Sequence, residues 1–216
     1  MKFIIILILI VITSIYSMTK MKQIYKSLII CGPSGVGKGT IINELLRNHP
    51  DKLGLSVSHT TRLPRPGESD GIHYHFVKKE WMESKIKEKN ENFFIEYANV
   101  HGNIYGTSRK AVESVQNQGK LCILDVDVQG VKQIKNSNFT GKYIFIAPPS
   151  IESLEKRLRL RGTETEEQIK LRLKNSKEEL EYGYTQGNFD DIIVNDELPE
   201  AIKRLNDICK SISNIF

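Results

Sequence analysis

The stretch Ser27-Leu-Ile-Ile-Cys31-Gly-Pro-Ser-Gly-Val-Gly-Lys38-Gly-Thr40 places a glycine-rich turn directly after an apolar run. Glycines let successive backbone N–H groups converge on one point, and a following helix adds the positive end of its dipole. A lysine at the end of such a turn reaches the β- and γ-phosphates of a nucleoside triphosphate. We therefore predict a strand, a phosphate-binding loop and a helix, with a triphosphate held by Gly35, Val36, Gly37, Lys38, Gly39 and Thr40. The alternative is an ordinary glycine-rich turn between a strand and a helix.

One position departs from the usual loop pattern, which has a hydroxyl directly after the lysine. Here that place holds Gly39, and Thr40 follows one step later. Mg²⁺ keeps several waters readily and can be held mainly by phosphates. We therefore expect a magnesium ion bound chiefly by phosphates and water, with Thr40 or Asp125 as the candidate protein ligands.

The composition is that of an ordinary soluble globular protein. The chain has 216 residues, of which 39% are hydrophobic and 26% charged, and a formal net charge of +5. That length suits one α/β domain with an insertion, and the positive charge favours polyphosphate ligands. The sequence has no basic stripe interleaved with aromatic residues, so we expect no nucleic-acid partner. Three widely spaced cysteines have neither metal spacing nor a paired pattern, which predicts reduced core residues.

Apolar runs alternate with amphipathic segments along most of the chain. Near-continuous apolar runs are typical of central strands in a parallel sheet that is covered on both faces. The predicted strands are Leu28–Cys31, Cys122–Val128, Tyr143–Ala147 and Ile192–Val194, and the predicted helices are Ile41–Leu46, Ile151–Leu160 and Pro199–Ile212. This alternation predicts an α/β fold with a doubly wound parallel sheet, whose ligands gather at the carboxyl ends of the strands.

Two segments interrupt that alternation. Residues 56–107 carry several turn signals and an alternating run at His73–Val77, which predict a mixed α/β insertion between core segments 21–55 and 108–216. Residues 160–184 are highly charged, which is typical of a mobile helical lid rather than of a core helix. Within that segment Thr163 and Glu166 have capping-box spacing, so we expect a helix that begins near Glu164.

The first 20 residues differ in character from the rest. Lys2 is followed by the apolar run Phe3–Ile12 and a small-residue end, which is the plan of a secretory signal and is too short to span a membrane. The alternative is an unused extension, because Met18 or Met21 could start the domain. A triphosphate site and unpaired cysteines favour the cytoplasm and no stable membrane association of the mature domain. Organellar or secretory routing by residues 1–20 is the competing interpretation.

A second anion site is indicated by Arg62 and Arg65. They lie three residues apart in a segment that Pro64 and Pro66 keep from forming a regular helix. Two guanidinium groups on a stiffened loop are suited to gripping a phosphate. The alternative is a solvated basic loop.

Asp125 and Asp127 stand two residues apart in a predicted strand, so both are expected on the same face. Carboxylates at a strand end beside a phosphate-binding loop can orient magnesium-bound waters or ligand donors. The alternative is that these aspartates cap the turn that leads to Gly130.

Ordered motifs run from about Ser27 to the C-terminus. They include Gly32-Pro-Ser-Gly-x-Gly-Lys38, Ser58-His-Thr-Thr-Arg-x-Pro-Arg65-x-Gly-Glu68, Gly71-x-x-Tyr74-x-Phe76, Phe94-Ile-Glu96, Gly102-Asn-x-Tyr-Gly-Thr107, Leu124-Asp-x-Asp127-x-Gln-Gly130, Ile146-Ala-Pro-Pro-Ser150 and Arg161-Gly-Thr163. So many fragments in one order are highly specific. Through them the chain resembles the guanylate kinases, P-loop nucleoside-monophosphate kinases that phosphorylate GMP with ATP.

The resemblance implies a role for each matching position. The GMP phosphate would be held by Arg62, Arg65, Tyr74 and Tyr105, and the guanine read by Ser58, Glu96, Thr107 and Asp127, with Asp125 nearby. The chemistry of the base agrees, since guanine offers N–H donors at N1 and N2 beside an acceptor at O6. Adenine lacks that donor pair and would leave a buried carboxylate unpaired.

The resemblance also implies the catalytic groups and co-substrates. Arg161 and Arg172 would close from the lid onto the transferring phosphoryl group, together with Lys38 and Arg65. Arg157, Asn195 and Asp196 match positions near the ATP. The implied cofactor is Mg²⁺, with ATP as co-substrate and GMP or dGMP as acceptor, and we expect a monomer.

Two rival functions remain open at this stage. Guanylate-kinase-like domains in scaffold proteins keep the fold and bind protein ligands, but they would not need Lys38, Arg161 and Arg172. Another nucleoside-monophosphate kinase is favoured only by the adenylate-kinase-like sequence Gly-Lys-Gly-Thr40, and it is opposed by Ser58 and Glu96.

Overall fold

The structure is a computed structural model, and it describes residues 25–88, 93–100, 102–162 and 164–216. Residues 1–20, for which the sequence predicts a leader, and Thr163 lie outside the described residues, as does the side chain of Arg161. The strands are β1 (Ser27–Cys31), β2 (Leu53–Leu55), β3 (His59–Thr60), β4 (His75–Phe76), β5 (Phe94–Val100), β6 (Asn103–Ser108), β7 (Leu121–Asp125), β8 (Lys142–Ala147) and β9 (Asp191–Val194). The helices are α1 (Lys38–Asn48), α2 (Lys79–Lys87), α3 (Arg109–Gln116), α4 (Val128–Lys135), α5 (Ile151–Arg161), α6 (Glu166–Tyr184) and α7 (Leu198–Ile212).

Five strands form a parallel sheet in the order β2-β7-β1-β8-β9. β1 lies at its centre, with Ile30 opposite Asp125 of β7 and Ile144 of β8. Since β1 is hydrogen-bonded on both sides, the loop that follows it emerges at the middle of the carboxyl edge. The predicted α/β class with a parallel sheet is confirmed.

The sheet is buried on both faces, which is why its strands are almost wholly apolar. Leu28 and Ile30 point into a core beneath α1, α5 and α7, whereas Ile29 and Cys31 point into a second core beneath α3 and α4. All three cysteines are buried and unpaired, as expected. Burial raises the pKa of Cys122 and of Cys209 to about 12.

A second, four-stranded sheet in the order β4-β3-β6-β5 occupies much of the segment between β2 and α3. Only β3 and β4 pair in parallel; the other pairs are antiparallel. Helix α4 joins this sheet to the core, because the Gln129 and Gln133 side-chain amides donate to the carbonyl oxygens of Asn99 and Tyr97 on β5. We call the segment between β2 and α3, which carries this sheet and α2, the arm.

Several predicted boundaries were wrong. β7 ends at Asp125 rather than continuing to Val128, so Asp125 and Asp127 do not share one strand face. Instead Asp127 caps α4, since its Oδ1 accepts a hydrogen bond from the Gly130 N–H at 2.8 Å. The short strand β2 was not predicted, because its three residues are too few for a periodicity signal. β4 spans only two residues of the predicted His73–Val77 run.

The helix of the charged segment begins later than expected. Its N-cap is Thr165, which forms a capping box with Gln168. Its C-terminal part is also not a free lid: Leu180 and Tyr182 pack on the second core, and a Cβ at Gly183 would lie 2.3 Å from the Phe145 ring. The C-terminal part of α6 is therefore anchored to the core, and a lid in this segment stays a prediction.

Within the described ranges, no helix has the length and apolar character needed to cross a bilayer.

Candidate active site

The loop after β1 is shaped by glycines that no other residue could replace. Gly32 has a φ of 152°, and a Cβ there would lie 2.2 Å from the Ile146 carbonyl oxygen. Gly37 has a φ of 102° and is the N-cap of α1, so no side chain caps that helix. The first N–H groups of α1 are therefore left to an anion in the cavity.

Lys38 lies at the junction of this loop and the strand ends. Its Nζ donates to the Gly32 carbonyl oxygen at 2.6 Å and lies 3.9 Å from Asp125 Oδ1. The side chain folds over the loop, since Nζ also lies 3.4 Å from the Pro33 carbonyl oxygen, and Lys38 lines the cavity together with the loop glycines. A phosphate bound there would meet main-chain donors and a fixed positive charge together.

Arg157 and Asn195 hold the loop in place. Both donate to the Val36 carbonyl oxygen, Asn195 Nδ2 at 2.8 Å and Arg157 Nη1 at 3.2 Å. Arg157 Nη2 also donates to the Asn195 carbonyl at 2.8 Å and lies 3.4 Å from that of Asp196. Val36 and Asn195 are buried, and neither they nor Arg157 and Asp196 line the cavity. Their nearness to ATP stays a prediction.

The arm supplies the second anion site. Arg62 Nη2 donates to Glu68 Oε1 at 2.9 Å, and the Arg65 N–H donates to Glu68 Oε2 at 2.7 Å. Burial opposes ionisation of Glu68, but these hydrogen bonds outweigh it and lower the pKa of its carboxyl. The Arg62 guanidinium also lies 5.5 Å from the Tyr74 ring centroid. Arg62 is thus held rigidly beside Tyr74 and Tyr105, whose rings meet edge to face at 5.8 Å.

A buried carboxylate lies between the arm and the core. Glu96 on β5 is 5% exposed, and its Oε1 accepts from the Thr107 N–H at 2.8 Å. Thr107 Oγ1 is in turn 2.9 Å from Ser58 Oγ. Burial raises the pKa of Glu96 to about 7, opposed by hydrogen bonds from Thr107 and reinforced by the charge of Asp127. Carboxylate and hydroxyls together match the donor and acceptor edge of guanine.

Asp125 and Asp127 both face the cavity although they belong to different elements. Burial raises the pKa of each carboxyl, and the nearby Lys38 ammonium counteracts it. Asp127 caps α4, which is the alternative considered from the sequence, and it also lines the cavity, while its role toward a ligand stays a prediction.

One cavity of about 600 Å³ unites the two anion sites. Its wall includes the loop and α1 residues Gly35, Gly37, Lys38, Gly39 and Thr40, and the arm residues Ser58, Arg62, Arg65, Tyr74, Glu96 and Tyr105. The buried Thr107 lies behind Glu96 and is not part of the wall.

Sequence reasoning missed several wall residues from α6 and the turn before it: Glu164, Gln168, Asn175 and Glu179. They stand at spacings of 3–4 residues from one another and from Arg172, so a helical face containing Arg172 was the signal that could have found them. Arg172 itself donates to Ser34 Oγ of the glycine loop. Burial raises the pKa of Glu179 to about 7, while the charges of Lys38 and Arg172 act against it.

The oxygen groups near Lys38 are too few to hold a metal ion by themselves. In the described part of the chain, no three His, Cys, Asp or Glu side chains are grouped to bind a metal. Asp125 and the Thr40 hydroxyl, the two ligands expected from the sequence, both lie in the cavity wall, as does Asp127. This sparse set of hard oxygen donors fits a Mg²⁺ that brings water and phosphate ligands with it.

A glycine loop at the central strand of a parallel sheet, open to the same cavity as an arginine–tyrosine anion site, is the arrangement of a P-loop nucleoside-monophosphate kinase. Comparison with known proteins narrows this class. The sequence model of the guanylate kinase family matches residues 24–212, and the chain belongs to that family.

Individual relatives agree with this assignment. The chain is 53% identical to guanylate kinase 1 of Oryza sativa over 180 residues, which is 83% of this chain and 46% of the rice protein. It is 52% identical to guanylate kinase of Schizosaccharomyces pombe over 186 residues, 86% of this chain and 91% of the relative. The chain thus spans about half the length of the plant relatives it matches.

A solved structure supports the fold. The crystal structure of guanylate kinase from Anaplasma phagocytophilum matches with a TM-score of 0.65 and 30% sequence identity, covering 91% of this chain and 90% of that one.

Proposed function

We propose that this protein transfers the γ-phosphoryl group of ATP to GMP or to dGMP, giving ADP and GDP or dGDP, in purine nucleotide metabolism. The observation that carries the proposal is that the glycine loop with Lys38 and the arm site with Arg62 and Arg65 line one cavity. Two phosphate groups bound there would face each other without an intervening wall. Phosphoryl transfer needs chiefly such alignment and charge stabilisation.

The proposed roles follow from charge and position. Lys38 and the N–H groups of α1 hold the ATP phosphates, while Arg65 and Arg172 stabilise charge on the transferring group. Arg161, at the end of α5, joins them from the lid side. Arginine suits this work because its charge persists and its donors fork around phosphate oxygens. No general base is required, since a GMP phosphate oxygen is already ionised near neutral pH.

Selection of guanine is assigned to Glu96, Ser58 and Asp127 in the cavity wall, with Thr107 positioning Glu96 and Ser58 through its hydrogen bonds to them. An ionised Glu96 accepts from guanine N1–H and N2–H, whereas adenine would leave that buried carboxylate unpaired. Asp125 lies beside this group and next to Lys38.

Mg²⁺ is the proposed cofactor, and when bound it would neutralise negative charge on the phosphates. Asp125 and Thr40 are the residues that would hold it or its waters. Gly39 contributes no hydroxyl, so the phosphates carry most of the coordination. A cytoplasmic monomer with nucleotides as its partners is the proposed setting.

A coupled assay that offers ATP with GMP, dGMP, AMP, UMP or dTMP tests the function. We expect turnover of GMP and dGMP to exceed that of the other acceptors by orders of magnitude. Turnover of AMP above that of GMP would contradict the guanine assignment. Lack of turnover with every acceptor would favour a protein-binding scaffold instead.

A further inference from the structure

Glu164 lies where the arm and α6 approach each other across the cavity. Its side chain is only 3% exposed, and it lines the cavity just before the N-cap of α6. Neither the glycine loop nor the arm motif contains it. A carboxylate so well shielded from solvent carries a desolvation cost that calls for opposite charges nearby.

Those opposite charges come from two separate elements. Glu164 Oε1 lies 3.9 Å from an Nη2 atom of Arg65 on the arm and 3.7 Å from an Nη2 atom of Arg172 in the middle of α6. One carboxylate oxygen therefore forms ion pairs with two guanidinium groups. Without it, the two positive groups would face each other across the cavity and repel.

These ion pairs contrast with the neighbouring pair of Arg62 and Glu68. That pair has a nitrogen–oxygen distance of 2.9 Å, which is in the range of a charge-assisted hydrogen bond. The ion pairs of Glu164 with Arg65 and Arg172 are about 1 Å longer, so they are easier to exchange for a phosphate group that offers several oxygens.

We propose that Glu164 is an internal counter-ion that occupies Arg65 and Arg172 until a nucleotide phosphate displaces it, and thereby weakens the binding of free phosphate at this site. The inference rests on the proposed function. A free phosphate ion must break both ion pairs and gains only the arginine contacts. A nucleotide also makes base and loop contacts, which compensate for the loss of the two ion pairs.

Inorganic phosphate is the probe, titrated by calorimetry into the wild-type protein and into Glu164→Gln. Glutamine keeps the shape and removes the charge, so we expect phosphate to bind roughly three- to tenfold more tightly. Phosphate should also become a correspondingly stronger inhibitor of GMP phosphorylation. The matched control is Glu167→Gln, which makes the same charge change at an exposed position outside the cavity wall. It should alter phosphate affinity less than about twofold.

Unchanged or weaker phosphate binding in Glu164→Gln, or an equal gain in Glu167→Gln, would overturn the proposal. If Glu164→Gln does not fold, Glu164→Asp replaces it. Aspartate keeps the charge but withdraws it by one methylene, so phosphate binding should tighten, though less than glutamine would allow; no change would again overturn the proposal. The titration needs no turnover, so an inactive wild-type protein would refute the proposed function alone.

Discussion

Glu96 shows how burial changes the chemistry of a single carboxyl group. Its pKa of about 7 means that the side chain is ionised only in part at neutral pH in the nucleotide-free protein. Guanine donors favour the ionised form, so we expect kcat/KM for GMP to rise with pH through about 7 and to level off above it. Glu96→Gln should lose that part of the pH profile, and pH–rate curves of both proteins measure it.

The same substitution tests base recognition directly. A glutamine at this position would place its amide N–H donors against the N–H donors of guanine. With no acceptor for the base, kcat/KM for GMP should fall by at least about 100-fold. Glu113→Gln, the control, changes an exposed glutamate on α3 and should leave kcat/KM for GMP unaltered. Equal GMP turnover by Glu96→Gln and the wild type would remove Glu96 from the guanine site. A melting curve for each variant checks the fold.

Gly39 is the position where this loop departs from the usual pattern, and the structure leaves room for a side chain there. A Cβ at Gly39 would meet nothing within 4 Å of it. We expect Gly39→Ser to fold, to keep activity and to reach half-maximal rate at lower Mg²⁺, because the new hydroxyl can ligate the ion. Gly39→Ala is the matched control, as it adds the Cβ without the oxygen. Identical Mg²⁺ titrations for the two variants would count against a role for this position.

At the scale of elements, α6 combines an anchored end with an exposed one. Its first turn depends on the capping box, in which the Thr165 N–H donates to Gln168 Oε1 at 2.9 Å and the Gln168 N–H donates to Thr165 Oγ1 at 3.3 Å. Its last turns pack on the sheet through Leu180 and Tyr182. The cavity side chains Gln168 and Arg172 belong to the end that capping stabilises.

Thr165→Ala should therefore loosen this end selectively. Losing an N-cap costs about 1 kcal/mol, which would speed amide exchange in the first turn of α6 about fivefold with little change in the melting temperature. Hydrogen exchange followed by mass spectrometry measures it. Thr140→Ala, at an exposed loop position, is the control. Unchanged exchange in Thr165→Ala would show that capping does not limit the motion of this segment.

At the scale of the whole molecule, the two sheets are stabilised differently. The parallel sheet is covered by apolar side chains on both faces, whereas the arm relies on a cluster of aromatic rings. His59 lies in that cluster, stacked on Trp81 at 5.3 Å between ring centroids and 4.7 Å from the His75 ring. Burial, followed by the charge of His75, lowers the pKa of His59 to about 4.

This pKa predicts that acid weakens the arm. The unfolded chain takes up a proton at His59 below about pH 6.5, whereas the folded protein resists it until about pH 4. Stability contributed by His59 is therefore lost as the pH falls from about 6.5 to 4. As the pH is lowered over this range, we expect the urea midpoint of the wild type to fall relative to that of His59→Phe. Trp81, the single tryptophan, reports it by fluorescence. A constant difference between the two midpoints would contradict the prediction.

The features that could be predicted from the sequence are those with a local signal. The apolar runs beside the glycine loop predicted the central strand and α1, because each of these patterns involves only a few neighbouring residues. The order of the motifs along the chain indicated the family. Helix and strand ends were less well predicted: hydrophobic periodicity did not distinguish Asp125, which ends β7, from Asp127, which caps α4.

The contacts between side chains that are distant along the chain are seen only in the tertiary structure. It brings the arm arginines and Lys38 to one cavity, puts Arg157 and Asn195 behind the loop, and places Glu164 between Arg65 and Arg172. The physical reason is that burial and Coulomb interactions depend on distance in space, and residues far apart along the chain become neighbours only in the folded protein.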